Sequence, residues 1–343
     1  MAYTTINKST DYFNTKLHTG TGSTTTITGV GFQPDMTWWK SRSNAVNHAL
    51  YDAVRGGSKL LRPNQTNAEE TNAAVSAFTS DGVTLTGGDA FTNTSGYTYA
   101  SWNWKANGSG SANTDGSINS TVSVNTTAGF SIVKYTGTLA NATVGHGLGV
   151  APKVIILKNT TTTNNWCVGH GSLGFTKHLA LNTTDAVGTS SVRFQDTTPT
   201  STVFSVGAAG ETNGSGNSII AYCFAEKTGY SKFGSYTGNG NADGTFVYTG
   251  FKPAWIMLKN TSNTQNWYMY DNKRTPTNFA NYHFYADLNN AEAGGSTLGI
   301  DILSNGFKIR TSNDGWNGSG ENYIYMAFGQ SLVGSNNIVA NAR

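Results

Sequence analysis

Only 12% of the 343 residues are charged, about half the share of an average soluble domain, so the polar surface has to come from Thr, Ser, Asn and 41 glycines. The 22 basic and 19 acidic residues leave a formal net charge of +3, and the basic ones are scattered rather than interleaved with stacking aromatics, which argues against nucleic acid as a partner. Aromatics at 12% are too much buryable surface for a solvated coil, no apolar run approaches the roughly eighteen residues of a membrane span, and the start MAYTTINKST has neither the basic nor the apolar part of a secretory signal.

In chain order, the first clear pattern is DYFNTKLHTGTGSTTTITGVGF (11–32), which predicts a strand, a glycine-rich turn and a second strand. It runs into GFQPDMTWWKS from Gly31, where a proline is followed by a largely apolar run and then a lysine, Pro34 with Lys40. A short apolar run behind a Gly/Pro break reads as a buried strand. Trp38 and Trp39 are adjacent, so on that strand they point to opposite faces, and one of them is expected outside the core. The Ala and Glu rich stretch Ala68 to Ala77 predicts a turn of helix capped by Asn67. TSDGVTL then predicts an Asp-Gly turn between strands, and GYTYASWNW alternates, with Trp102 and Trp104 sharing a face.

Residues 108–128 begin with the small polar composition of a flexible linker, which predicts freedom between the two parts of the chain that it joins. Their second half, with Ile118, Val122 and Val124 at even spacing, predicts an added edge strand. Beyond it the opening pattern returns twice, as GVAPKVIILKN from Gly149 (Pro152, Lys158) and GFKPAWIMLKN from Gly250 (Pro253, Lys259).

The register holds well past those runs. His48, Trp166 and Trp267 occupy one position, and Asp52, His170 and Asp271 another; the pairs Thr19-Gly20, Thr136-Gly137 and Thr237-Gly238 lie upstream, and YASWNW, IAYCFA and YMAFGQ close each stretch. Such self-similarity predicts a triplication. The units are taken as 1–107, 129–228 and 229–332, with 108–128 as linker and edge strand and 333–343 as a C-terminal tail. Each unit has the size at which a domain closes its own core. The expected fold is all-β, three tandem antiparallel β-sandwich (jelly-roll-like) repeats.

No catalytic residue, metal or cofactor is assigned. Asp52 and Asp271 recur at one position, but a glycosidase needs two carboxyl groups about 5 to 10 Å apart across one cleft and these belong to different units, so a turn at a strand end is the preferred reading. The six histidines show no metal-ligand spacing. GHGSLG (169–174) matches a dinucleotide fingerprint only through glycine abundance, and NGNADG (239–244) lacks the acidic residue a calcium loop needs at Gly250. Cys167 and Cys223 are read as buried free thiols rather than a disulfide, since no disulfide framework is visible. The candidate ligand residues are Trp316, in the glycine-rich NDGWNGSG, with Asp314 and Asn317 beside it, and Trp39, as furniture of a glycan-binding surface; for Trp316 the preferred reading is that it covers a loop or packs on a partner subunit.

The stretches GFQPDMTWWKSRSNAVNHALYDAVRG, TDGSINSTVSVNTTAGFSIVKYTGT, VGHGLGVAPKVIILKN, GYSKFGSYTGNGNADGTFVYTGFKPAWIMLKN and YIYMAFGQSLVGSNN resemble an uncharacterised repeat-domain family of tailed-bacteriophage, mostly marine-phage, virion and tail-fibre-type proteins. The resemblance covers essentially the whole chain. It implies a non-enzymatic structural or adhesive virion protein, made in the host cytoplasm and exposed on the particle as a tail fibre or appendage contacting the host surface. Its partners would be further copies of itself as a homo-oligomer, other virion proteins and host-cell surface glycans. Capsid-surface decoration, filament formation and a stand-alone carbohydrate-binding module are the alternatives.

Overall fold

The computed structural model describes residues 4–331 apart from Ser296, so the expected tail at 333–343 lies outside the described residues. The chain is all-β and antiparallel, built of larger sheets each backed by a smaller one. In the first lobe the larger sheet runs Phe13–Thr19, Thr98–Trp104, Met36–Ser41, Ala49–Asp52. The second lobe contains the same order in Phe130–Thr136, Ser218–Phe224, Val154–Asn159, Cys167–His170. In the third it is Ser231–Thr237, Asn322–Gln330, Lys252–Asn260, Trp267–Asp271. Pro34, Pro152 and Pro253 therefore lead into, or lie at the start of, strands at one place in each order. The smaller sheets are Thr25–Ile27, Gly82–Leu85, Val75–Thr79 in the first lobe, Ala142–Gly145, Val203–Val206 in the second, and Phe246–Tyr248, Gly306–Ile309, Ile300–Leu303 in the third.

Between each larger sheet and its smaller partner lies a separate apolar cluster. The opposite faces of the three larger sheets meet one another. One cluster joins Phe13, Trp38, Trp102 and Trp104 to Ile132, Trp166, Tyr222 and Phe224 and to Phe233, Trp255, Met257 and Phe328. Trp104 contacts rings of all three lobes, with centroids 4.9 Å from Phe13, 6.4 Å from Phe224 and 5.7 Å from Trp255. Where the faces meet they leave a cavity of about 20 Å3, with no room for more than about one water molecule. Units closing their own cores were expected; instead each closes half of one and shares the other half. Local sequence cannot show this, because an inner face reads the same whatever covers it.

Trp38 and Trp39 do point to opposite faces, but both are buried, Trp38 in the shared core and Trp39 under the smaller sheet of its lobe. Trp102 and Trp104 share the inner face as predicted. Ala68 to Ala77 forms no helix. Glu70–Thr71 and Val75–Thr79 are strands, because Glu69 and Glu70 are drawn to Arg55 and Arg62 and Asn72 closes a turn on the Ala74 amide. The linker is pinned rather than free: the buried Asp35 carboxylate accepts from the amides of Ala106 and Gly108 at 2.6 and 3.0 Å, and Ser123 accepts from that of Asn107. Its second half is indeed a strand, Ser120–Asn125, which with Ser111–Asn113 widens the second lobe's sheet.

A shared core predicts one cooperative unfolding event. Calorimetry should show a single transition whose calorimetric and van't Hoff enthalpies agree, and Trp104→Ala should lower all of it by about 3–5 kcal/mol. Separate transitions for separate lobes would contradict this.

Candidate functional site

The landmarks that recur along the sequence divide into those that tie a lobe to itself and those that tie it to the next. A buried asparagine does the first job. Asn93, Asn213 and Asn317 accept from the amides of Thr21, Thr138 and Asn239 at 2.9, 2.8 and 3.0 Å. Each then donates at 2.7 Å to a carbonyl two residues further on, that of Ser23, Ala140 or Asn241. The Thr-Gly pairs fit beneath the same clamp. A Cβ on Gly20, Gly137 or Gly238 would sit 2.1 to 2.3 Å from the carbonyl oxygen of Thr94, Gly214 or Gly318, closer than any side chain allows.

Ties between lobes run in a cycle. The Trp166 indole donates to the Arg62 carbonyl at 3.0 Å, Trp267 to that of Ala180 at 3.0 Å, and the His48 ring bonds that of Tyr285 at 2.9 Å. Because Trp38 donates to Nδ1 of His48, His48 carries its proton on Nε2, and burial holds its pKa well below the ordinary imidazole value. Backbone amides follow the same cycle: Glu69 to Thr160, Val187 to Thr261, Glu292 to Arg42. The recurring lysines are buried and turned onto carbonyls, Lys158 onto Asn159 and Thr66, Lys259 onto Asn260 and Thr184, and Lys40 onto Ser41. Burial pushes Lys40 down to about 7 and Lys158 and Lys259 to about 8.

The recurring carboxylates also sit at junctions. Asp52 accepts from Arg55 at 2.6 Å and, across the junction, from the Tyr222 hydroxyl at 2.7 Å; Arg55 continues to Glu69. Asp271 accepts from Arg274 at 2.6 Å and from the Trp102 indole at 3.1 Å; Arg274 continues to Glu292, which also holds Arg42. In the second lobe the set changes together. His170 replaces the aspartate, Leu173 the arginine and Val187 the glutamate, and the residue across from them is Met326. His170 bonds the Tyr325 carbonyl, and burial lowers its pKa to about 4. At this junction lies an open cleft of about 580 Å3, lined among others by Leu173, Lys177, Val187 and Ile324.

The glycan residues expected from sequence are not gathered on a surface. Trp39 is fully buried. Trp316 lies on a helical turn, Asp314–Asn317, capped by Asn313; its ring packs 3.8 Å from that of Tyr268 and its indole donates to Tyr270 at 2.7 Å. Asn317 is the clamp described above, and only Asp314 faces solvent. A glycine-rich neighbourhood suggested an open loop; the cap and the aromatic pocket fold it inward. NGNADG is a turn in which Asn239 and Asn241 each accept from the amide two residues on, while Asp243 pairs with Lys308. Cys167 and Cys223 are buried free thiols. Among the described residues no group of three or more His, Cys, Asp or Glu is placed to hold a metal ion, and no helix is long and apolar enough to cross a membrane.

What sequence reasoning missed is an aromatic pair that does face solvent. Phe246 and Tyr248 are 45% and 55% exposed, on one face of the third lobe's smaller sheet, opposite Lys308 and Gly306. Asp301 and Leu303 share that face on the next strand. The rim carries the pairs Lys308–Asp243 and Arg310–Asp301, and the Lys232 ammonium lies 5.9 Å from the Tyr248 ring centroid. Aligning the lobes on their buried pairs, Ile27 with Val83, Val144 with Phe204 and Val247 with Phe307, puts Thr26 and Thr28, or Thr143 and Gly145, where the third lobe has Phe246 and Tyr248. That comparison of aligned stretches was available in the sequence.

Two outcomes check this assignment of roles. Asn317→Ala, which strands an amide and two carbonyls, should cost about 3 kcal/mol in urea unfolding; a cost near zero would remove the clamp. The histidines and lysines both set a pH dependence. His170 stays neutral in the fold down to about 4 while the unfolded chain binds a proton near 6.5, so stability falls with pH between those values. Lys158 and Lys259 lose their protons near 8 in the fold but near 10.4 when unfolded, so stability rises over that window. Lys158→Met should flatten the alkaline rise measured by Tm, and an unchanged slope would contradict it.

No curated protein and no solved structure matches the chain. One family model covers all three lobes together, residues 8–331, and by that match the chain belongs to the family described as Domain of unknown function (DUF7483).

Proposed function

We propose that this is a structural and adhesive component of a tailed-bacteriophage particle, exposed on the virion and working by surface contact. The observation that carries the reading is where the polar chemistry sits. The acids, guanidinium groups and ammonium groups that recur at one register close lobe junctions from within. What is left facing outward among the described residues is rich in hydroxyl and amide groups, with Phe246, Tyr248 and Tyr282 as its exposed aromatics. A surface of that kind suits repeated weak contacts with host glycans. The cyclic set of lobe junctions uses up the inner faces within one chain, so assembly with further copies or with other virion proteins falls to the outer sheets. The sequence resemblance points the same way. Placement on the capsid as decoration is the neighbouring reading, and the same experiment separates the two.

Gold-labelled antibody against the purified protein should decorate intact particles from a producing culture in electron micrographs. Label on the tail supports the appendage reading and label on the head supports decoration. Label confined to soluble lysate would overturn both.

A further inference from the structure

The three lobes answer the same packing problem with corresponding strands, so a side chain that only one lobe carries, on a face that packing does not cover, is not explained by the fold. Phe246 and Tyr248 are such side chains. Their positions in the other lobes hold Thr26 and Thr28, or Thr143 and Gly145, and two aromatic rings at about half exposure leave apolar surface in water, with the Lys232 ammonium over the Tyr248 ring as the one cation stacked on them among the described residues. Residues two apart on a strand project to the same side about 7 Å from each other. Beside them Gly306 offers no side chain, and the Phe246 ring leans across it: a Cβ there would lie 3.1 Å from Phe246 Cε2 and 2.1 Å from the Val247 carbonyl. The result is a shallow ledge, open above, with charged groups along its rim.

The size of the ledge selects its occupant. Half of the surface of one Phe and one Tyr amounts to about 200 Å2, while each side of a stable protein interface buries about 800 Å2. A second copy of the chain would find too little here. One or two sugar rings would be well matched, since a pyranose presents a face of C–H groups to an aromatic ring and hydroxyls around its edge. The rim supplies both partners for such hydroxyls: the carboxylates of Asp243 and Asp301 accept, and Lys308 and Arg310 donate. The two ion pairs cancel, and the further cation beside the ledge, Lys232, is turned over the Tyr248 ring, so the rim offers an anion little net attraction.

We propose that the Phe246–Tyr248 ledge binds a neutral glycan, with a pyranose ring stacked on the two aromatic faces and its hydroxyls bonded by the paired charges at the rim. The proposal rests on the reading that the protein works by surface contact, and not on where the particle carries it.

The test is titration of the purified full chain with neutral oligosaccharides, cellotetraose, mannotetraose and chitotetraose, followed by isothermal calorimetry and by shifts of the tyrosine fluorescence. At least one should bind, and Phe246→Ala and Tyr248→Ala should each weaken it by about tenfold or more. Both side chains are half exposed, so the variants should keep the wild-type Tm; Thr26→Ala, at the corresponding place in the first lobe, should leave binding unchanged. No binding of any of the three, or binding untouched in the double variant, overturns the ledge. So does sedimentation showing a dimer that the double variant abolishes, since the pair would then be a self-contact. Failure of the contact reading itself would show separately, as particles that gold-labelled antibody does not mark.

Discussion

Every larger sheet in this protein has two apolar faces and only one small sheet to cover them. The uncovered face has to be buried against something, and the chain solves this by turning three such faces toward one another. Trp104, Phe224, Trp255 and Phe328 then fill a single interior to which no lobe could contribute alone. Burial of aromatic surface on this scale is the dominant favourable contribution to folding. It also fixes the rest: lobes that share an interior cannot move apart, so the segment between the first two is held by Asp35 rather than left free.

Polar groups at the edges of that interior have to be satisfied, because an unpaired buried charge costs far more than a paired one gains. The junctions show two complete solutions. In one, Asp, Arg and Glu form a chain of ion pairs completed by Tyr222 or Trp102 from the neighbouring lobe. In the other, His170, Leu173, Val187 and Met326 leave no charge to satisfy. A half-exchanged junction would bury a lone guanidinium or carboxylate, which accounts for the four positions changing as a set.

Much of the local structure was legible in the sequence. The proline-led strands, the opposed faces of Trp38 and Trp39 and the common face of Trp102 and Trp104 all follow from period-2 patterning and recurrence. What was not legible depends on contacts between distant segments. Nothing near Trp316 reports that Tyr268 and Tyr270 wait across the lobe to receive it, so a glycine-rich neighbourhood read as open. The stretch Ala68 to Ala77 has helical composition, but its glutamates answer to Arg55 and Arg62. The exposed pair at Phe246 and Tyr248 was legible in principle, since TFVYTG alternates and its counterparts carry threonine. It needed the three stretches to be compared where they differ rather than where they agree.

The exchange at His170 has a wider bearing. In a ring of three separate identical chains, any substitution appears three times at once, and a change that suits only one corner is lost to the other two. Joining the corners on one backbone lifts that rule. One corner holds no ion pairs where the others do and another carries aromatics outside, on a frame that all three share. Such a molecule presents its distinctive surface once per chain, where a ring of three identical chains would present it three times.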